Sequence, residues 1–320
     1  MGPLLPRAGG GGRPGHRRGR AHDGRGAGRT VIVVAGGTGR LGRLLVGRLA
    51  ARGERVRVLT RDPRRVSGLD DGVELVAADV RDATAVRRGL DGAQVVVSAV
   101  HGLTSPGGPR AVDRDGNRHL VDAAAQVGAD VVLVSVLGAA PDSPVELFRM
   151  KHAAEAHLRA SGVPATVVAP TAYLEMWIDL LATSARRGGR PVVLGRGRSR
   201  VNFVSVLDVA ALVDAVVSDP DARGRTLPVT GPENLTLLEL AAAVQRSAGR
   251  SAAPRTVPPA VIRVVAGSAG RIVPSLGRVL GTALAMDAGD RPAGLTDVRD
   301  RYPGVPCTSL DDVLAAPLSP

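Results

Sequence analysis

The stretch from Thr30 to Gly53 limits the possible folds more than any other part of the chain. Thr30-Val-Ile-Val-Val-Ala35 is an unbroken apolar run ended by glycine. Such a run suits a strand buried on both faces. Gly36-Gly37-Thr38-Gly39-Arg40-Leu41-Gly42 follows at once, and then Leu41, Leu44, Leu45 and Leu49 recur at helical spacing up to Gly53. The glycines at 36, 39 and 42 each answer a physical need. The first permits a turn angle closed to other residues, the second lets a ligand approach the backbone, and the third lets helix pack on strand. The helix N-terminus adds free N–H groups and partial positive charge, a seat for a diphosphate. Gly36, Thr38, Gly39, Arg40, Leu41 and Gly42 are therefore expected to hold a dinucleotide.

The rest of the chain repeats the rhythm. Further strands are predicted at 55–60, 73–78, 94–100, 131–136 and 165–169, with helices between them, one capped by Asp82 and others at 112–127 and 149–161. Strands alternating with helices over short connections indicate an α/β fold with a doubly wound, Rossmann-type parallel sheet. The rhythm changes after Pro170. A helix at 172–186, a strand at 201–206, a helix after Asp208 and a capping box at Thr236-Leu-Leu-Glu239 suggest a smaller C-terminal substrate lobe. The expected division is residues 1–29 as a disordered basic tail, 30–171 as the nucleotide-binding core and 172–320 as the lobe, with 201–217 returning to the core.

The end of the second strand discriminates between dinucleotides. An acid there would bind the ribose 2′-hydroxyl of NAD(H). Thr60-Arg61 stands there instead, with Arg64 and Arg65 close by. A guanidinium suits a 2′-phosphate, so NADP(H) is favoured over NAD(H), with the adjacent Asp62 as the countersignal.

Charge and composition set outer limits. The formal net charge is +12, and half of it lies in residues 1–29, where seven arginines face only Asp23. No aromatic interleaves those arginines, so they form no base-stacking platform, and nucleic acid is not an expected partner. Cys307 is the only cysteine, which rules out an intrachain disulfide and fits a cytoplasmic protein. No apolar run reaches the ~18–20 residues of a membrane helix. The apolar region 259–286 is broken by Arg263, Arg271, Pro274 and Arg278 and reads as one or two covering helices. No metal-ligand cluster is expected: His152 and His157 are five apart on one helix.

Beyond the glycine turn, the segments Leu59-Thr-Arg-Asp-Pro63, Ala78-Asp-Val-Arg-Asp82, Val112-Asp-Arg-Asp-Gly-Asn117, Lys151-His-Ala-Ala-Glu155 and Val206-Leu-Asp-Val-Ala210 carry a resemblance. Together they resemble the atypical short-chain dehydrogenase/reductases, in particular the NmrA-like, NAD(P)H-binding branch that includes isoflavone-reductase-like enzymes. The resemblance implies that Asp79 and Val80 flank the adenine and that Ser98, Ala99 and Val100 line the path to the nicotinamide. It places Ser135 and Pro170 near the nicotinamide and Lys151 at its ribose. It also exposes two departures. The usual catalytic tyrosine, four residues before the lysine, is Leu147, and the usual serine falls at Val136.

Lys151 is the only lysine in the chain. An amine can lose its proton when buried and a guanidinium cannot. A surface pair with Glu155 at i,i+4 is the competing role. His101, after the fourth strand, and Tyr173 join Lys151 as candidate catalytic groups. Tyr173 and Trp177 share a helix face and, with Phe148, suit either an apolar substrate pocket or ordinary packing. The expected activity is NAD(P)H-dependent hydride transfer to a small apolar carbonyl, quinone or enone, by a monomer or homodimer. The alternative is a non-catalytic dinucleotide sensor or assembly protein.

Overall fold

The computed structural model describes residues 2, 30–295 and 298–315. The expected basic tail, residues 1–29, lies outside the described residues apart from Gly2. The first half runs β1 (Val31–Ala35), α1 (Arg40–Ala51), β2 (Arg55–Thr60), β3 (Glu74–Ala77), α2 (Ala83–Gly89) and β4 (Val95–Ser98). It continues through a π-helical turn (Arg110–Gly116), α3 (Asn117–Val127), β5 (Asp130–Val134), α4 (Glu146–Ser161) and β6 (Ala165–Pro170).

The second half contains β7 (Ala172–Tyr173), α5 (Leu174–Gly188), β8 (Val192–Leu194), β9 (Val201–Val204), α6 (Val206–Val217) and β10 (Thr226–Val229). Then come β11 (Glu233–Leu235), α7 (Leu237–Ser247), β12 (Arg255–Val257), α8 (Pro259–Ile272), α9 (Pro274–Asp287), α10 (Val298–Arg301) and α11 (Leu310–Ala315).

Seven strands form one sheet in the order β10-β6-β5-β4-β1-β2-β3, with every pairing parallel. Parallel pairing requires crossovers, and the helices fill both faces. β1 shows the consequence: Ile32 and Val34 join the core beneath α1 and α6, while Val33 and Ala35 join the core beneath α2, α3 and α4. All four are essentially inaccessible, which accounts for an unbroken rather than alternating apolar run. Chain order reverses between β1 and β4. The crevice at the carboxyl ends of the strands opens there, the usual ligand position in such sheets.

The second half is braided into the first. β10 rejoins the main sheet beside β6, an addition that the strand pattern at 226–229, interrupted by Pro228, did not signal. α6 packs on α1, whereas β9 pairs with β7 and β11 in a small separate sheet. The expected strand 201–206 stops at Val204 because Ser205 caps α6, accepting the Leu207 N–H at 3.1 Å. Asp208, read as preceding a helix, lies inside α6. It is fully buried and held by Arg299 at 2.9 Å and by Thr308. The Thr236/Glu239 capping box forms with both reciprocal hydrogen bonds.

Candidate functional site

The glycine turn has the strain and closeness its sequence implies, with a redistribution of roles. Gly36 has φ +87°, and a Cβ there would lie 2.6 Å from the Ala99 carbonyl oxygen. A Cβ on Gly42 would lie 2.1 Å from the Gly36 oxygen, so this residue lets α1 abut the turn. Contact with β2 falls to Gly37, whose Cβ would meet Val58 at 2.8 Å. At Gly39 a Cβ would meet only the Gly36 oxygen, at 3.4 Å, so its smallness is not needed for packing. Gly39 is the N-cap of α1, with no side-chain cap and no acid in the first turn. The helix start is left open for an anion.

Two chambers meet at this turn. The first, about 720 Å³, passes Thr38 and Arg61 and reaches Asp79 and Val80. The second, about 680 Å³, is lined mainly by apolar side chains and contains Leu147, Phe148, Tyr173 and Trp177. Gly36, Gly39, Ala99, Val100 and His101 border both, so the two chambers form one crevice.

At the first chamber's end Arg61 is exposed and makes no hydrogen bond or ion pair with a described residue. Asp62 is already engaged: its carboxylate accepts the Arg64 N–H at 3.1 Å and caps the short turn Pro63–Arg65. Arg61 thus has no hydrogen-bond or ion-pair partner among the described residues, whereas Asp62 has one carboxylate oxygen engaged and stays 46% exposed. Asp79 is gripped by Arg81 through contacts of 2.6–3.1 Å, and this grip holds its carboxyl below the usual aspartate range. Arg43, which the sequence reading missed, ties Thr38 to Ser67 through their carbonyls and so links the glycine turn to the loop after β2. Its position one turn into α1 is the signal that could have found it.

In the second chamber the three candidate catalytic residues His101, Lys151 and Tyr173 line one wall system. Lys151 is 4% exposed, and its Nζ donates to the carbonyls of Val100 at 3.0 Å and Val134 at 2.9 Å. Asp113 Oδ1 lies 3.2 Å away. The surface pair with Glu155 does not form: Glu155 is buried, accepts from Ser135, and pairs with Arg159 at 2.7 Å. Asp113, in the Val112–Asn117 segment, is a site residue that the sequence does not single out. It closes the lysine's shell, and its other oxygen accepts the Gly102 N–H at 2.8 Å.

Ser98 is a correction. It is buried and donates to Asn117 at 2.5 Å, so it braces β4 against α3 and lines neither chamber. Ser135 and Pro170 do line the second chamber, although the Ser135 hydroxyl is turned to Glu155. Arg40 reaches across the crevice to Asp179 on α5 at 2.6 Å, another pairing absent from the sequence reading.

The electrostatics separate the candidates. Protein packed around His101 pushes its pKa below the usual histidine range, with Asp113 opposing and Lys151 adding to the shift. Burial, followed by the Glu175 charge, drives the Tyr173 phenol well above its ordinary range. Its hydroxyl makes no hydrogen bond with a described residue. Leu147 and Val136 occupy the chamber wall where the resemblance implies hydroxyl groups. Among the described residues no group of His, Cys, Asp and Glu is arranged to hold a metal.

Sheet topology, open helix start and crevice together define a Rossmann-type dinucleotide-binding protein. The chain belongs to the NmrA-like family, whose model matches residues 28–279. It is similar to the (4-alkanoyl-5-oxo-2,5-dihydrofuran-3-yl)methyl phosphate reductase of Streptomyces griseus, 33% identical over 221 residues, 69% of this chain and 74% of the relative. The NAD(P)H azoreductase of Xenophilus azovorans is 29% identical over 222 residues, with the same coverage of both chains. Among solved structures, the NADPH-dependent quinone oxidoreductase QOR2 of Escherichia coli complexed with NADPH matches with a TM-score of 0.73. That match is at 21% identity and covers 89% of this chain and 98% of the other.

Proposed function

We propose that the chain is an NAD(P)H-dependent oxidoreductase, that it prefers NADPH, and that its acceptor is a small apolar carbonyl, quinone or enone. One observation carries this reading: a polar nucleotide chamber opens at Gly36, Ala99 and Val100 directly into an apolar chamber large enough for a ring-sized acceptor. The reductase names of the two curated relatives support it.

The residues fit a dinucleotide by shape and charge. Gly36 and Gly42 keep the cradle free of side chains, α1 offers its uncapped N-terminus to the diphosphate, and Arg61 meets a 2′-phosphate. When bound, the reduced nicotinamide supplies a hydride. Leu147, Phe148 and Trp177 exclude water from the acceptor. Tyr173 is the proton donor best placed in the site, since its hydroxyl makes no hydrogen bond with a described residue, while burial keeps the phenol protonated and makes it a weaker acid. Lys151 is less suited to that role. Two of its ammonium protons are donated to the Val100 and Val134 carbonyls and Asp113 pairs with its charge, so it anchors the ends of β4 and β5 as a positioning residue.

That commitment of Lys151, with Leu147 and Val136 in place of hydroxyl groups, favours the second reading of a dinucleotide sensor without chemistry. NADPH oxidation measured against a panel of apolar carbonyls, quinones and enones separates the two. Turnover lowered about 10²–10⁴-fold by Tyr173→Phe, with NADPH affinity kept, fits the enzyme. Tight NADPH binding with no acceptor reduced fits the sensor.

A further inference from the structure

We propose that the α8–α9 hairpin is an interfacial anchor that docks on an anionic lipid surface. The large apolar side chains exposed among the described residues are concentrated there. Six of the eleven fall within residues 261–276: Val261, Val264, Val265, Ile272, Val273 and Leu276. Val264 is 70% exposed and Ile272 85%. Positions 261, 264, 265, 268 and 272 follow i, i+3, i+4, i+7 and i+11 spacing, so the valines and Ile272 form one stripe along α8. Ile262 faces away from that stripe and is buried, which fixes the orientation of the helix. Ile272 and Val273 stand at the tip between the two helices, with Leu276 on the first turn of α9.

Charge selects the occupant. Residues 250–286 contain five arginines and no acid, and of these Arg278 is turned inward to the Leu103 and Ser105 carbonyls at 2.9 and 3.2 Å. Asp287, the first acid after them, is buried and receives the Gly197 N–H at 2.8 Å. An apolar stripe within a purely cationic segment repels a second copy of itself and complements anionic headgroups over acyl chains. Neither helix is long enough or apolar enough to cross a bilayer, so the hairpin would lie in the interface. α9 also carries Thr282 and Met286 to the wall of the apolar chamber. Docking therefore sets that chamber beside the lipid, where apolar acceptors dissolve.

Co-sedimentation of the full chain with vesicles tests this directly. Phosphatidylglycerol/phosphatidylcholine vesicles should pull the protein down, and pure phosphatidylcholine vesicles should not. Val264→Ser with Ile272→Ser should cut partitioning at least about tenfold. The proposal is overturned if wild type stays in the supernatant, or if the double variant sediments as well as wild type. It is also overturned if light scattering shows a dimer that the double variant dissolves, since the stripe then belongs to a second copy. NADPH binding by the same preparations reports the crevice separately, so failure of the anchor leaves the reductase reading standing, and the reverse.

Discussion

The ammonium of Lys151 lies 3.2 Å from Asp113 Oδ1, with both side chains closed to solvent. A buried ion pair is costly to break from one side, because the remaining charge keeps its desolvation penalty. Lys151→Met should therefore destabilise the fold by about 3–5 kcal/mol, read as a lowered urea midpoint with unchanged slope. A loss under about 1 kcal/mol would mean that the lysine is solvated and free for chemistry.

Arg61 offers a second test, in binding rather than stability. Charge-assisted hydrogen bonds are worth about 1.5–3 kcal/mol. Arg61→Ala should weaken NADPH by about 10–150-fold and leave NADH within about twofold. Equal affinities of the wild type for the two dinucleotides would refute the 2′-phosphate assignment.

The glycines separate packing from ligand approach. Gly42→Ala forces a Cβ to 2.1 Å from the Gly36 oxygen. It should cost about 1–3 kcal/mol or more in thermal unfolding. Gly39→Ala meets nothing nearer than 3.4 Å and should fold like wild type, yet bind NADPH more weakly, because its backbone lies where a diphosphate must approach. Unchanged NADPH affinity in Gly39→Ala would move the diphosphate elsewhere.

His101 predicts a pH dependence of stability. Its folded pKa is lowered, chiefly because the protein packed around it strips water from the imidazolium although the residue stays partly exposed, from an unfolded value near 6.5. Between the two values the unfolded state binds more protons, so its contribution to stability is complete above about pH 6.5 and is lost as pH falls through the folded pKa. Denaturant titrations of wild type and His101→Gln should converge above neutrality. Below about pH 6.5 wild type should weaken faster, and parallel curves across that range would contradict the assignment.

The parallel sheet was legible because its signals are local. The run at 30–35, the glycine turn, Asp82 as an N-cap and the Thr236/Glu239 box each need only their neighbours. β10 was not legible, since its place beside β6 is a tertiary fact and Pro228 weakens its strand pattern. The site divides in the same way. Residues tied to the turn were readable, whereas the Lys151–Asp113 and Arg40–Asp179 pairs join positions 38 and 139 residues apart. Ser98 was misplaced because residues on one strand end alternate between crevice and core, and sequence alone does not give the phase.

Transfer of a labelled hydride tests the central claim most directly. NADPH deuterated at the transferring position of the nicotinamide would be incubated with the chain and a panel of apolar enones and carbonyls, and the products read by mass spectrometry. The two-chamber crevice predicts deuterium on carbon in the reduced product, in an amount that matches the NADPH consumed. Saturated binding of labelled NADPH with no deuterium in any acceptor would contradict the enzyme reading and leave a dinucleotide-binding protein without chemistry.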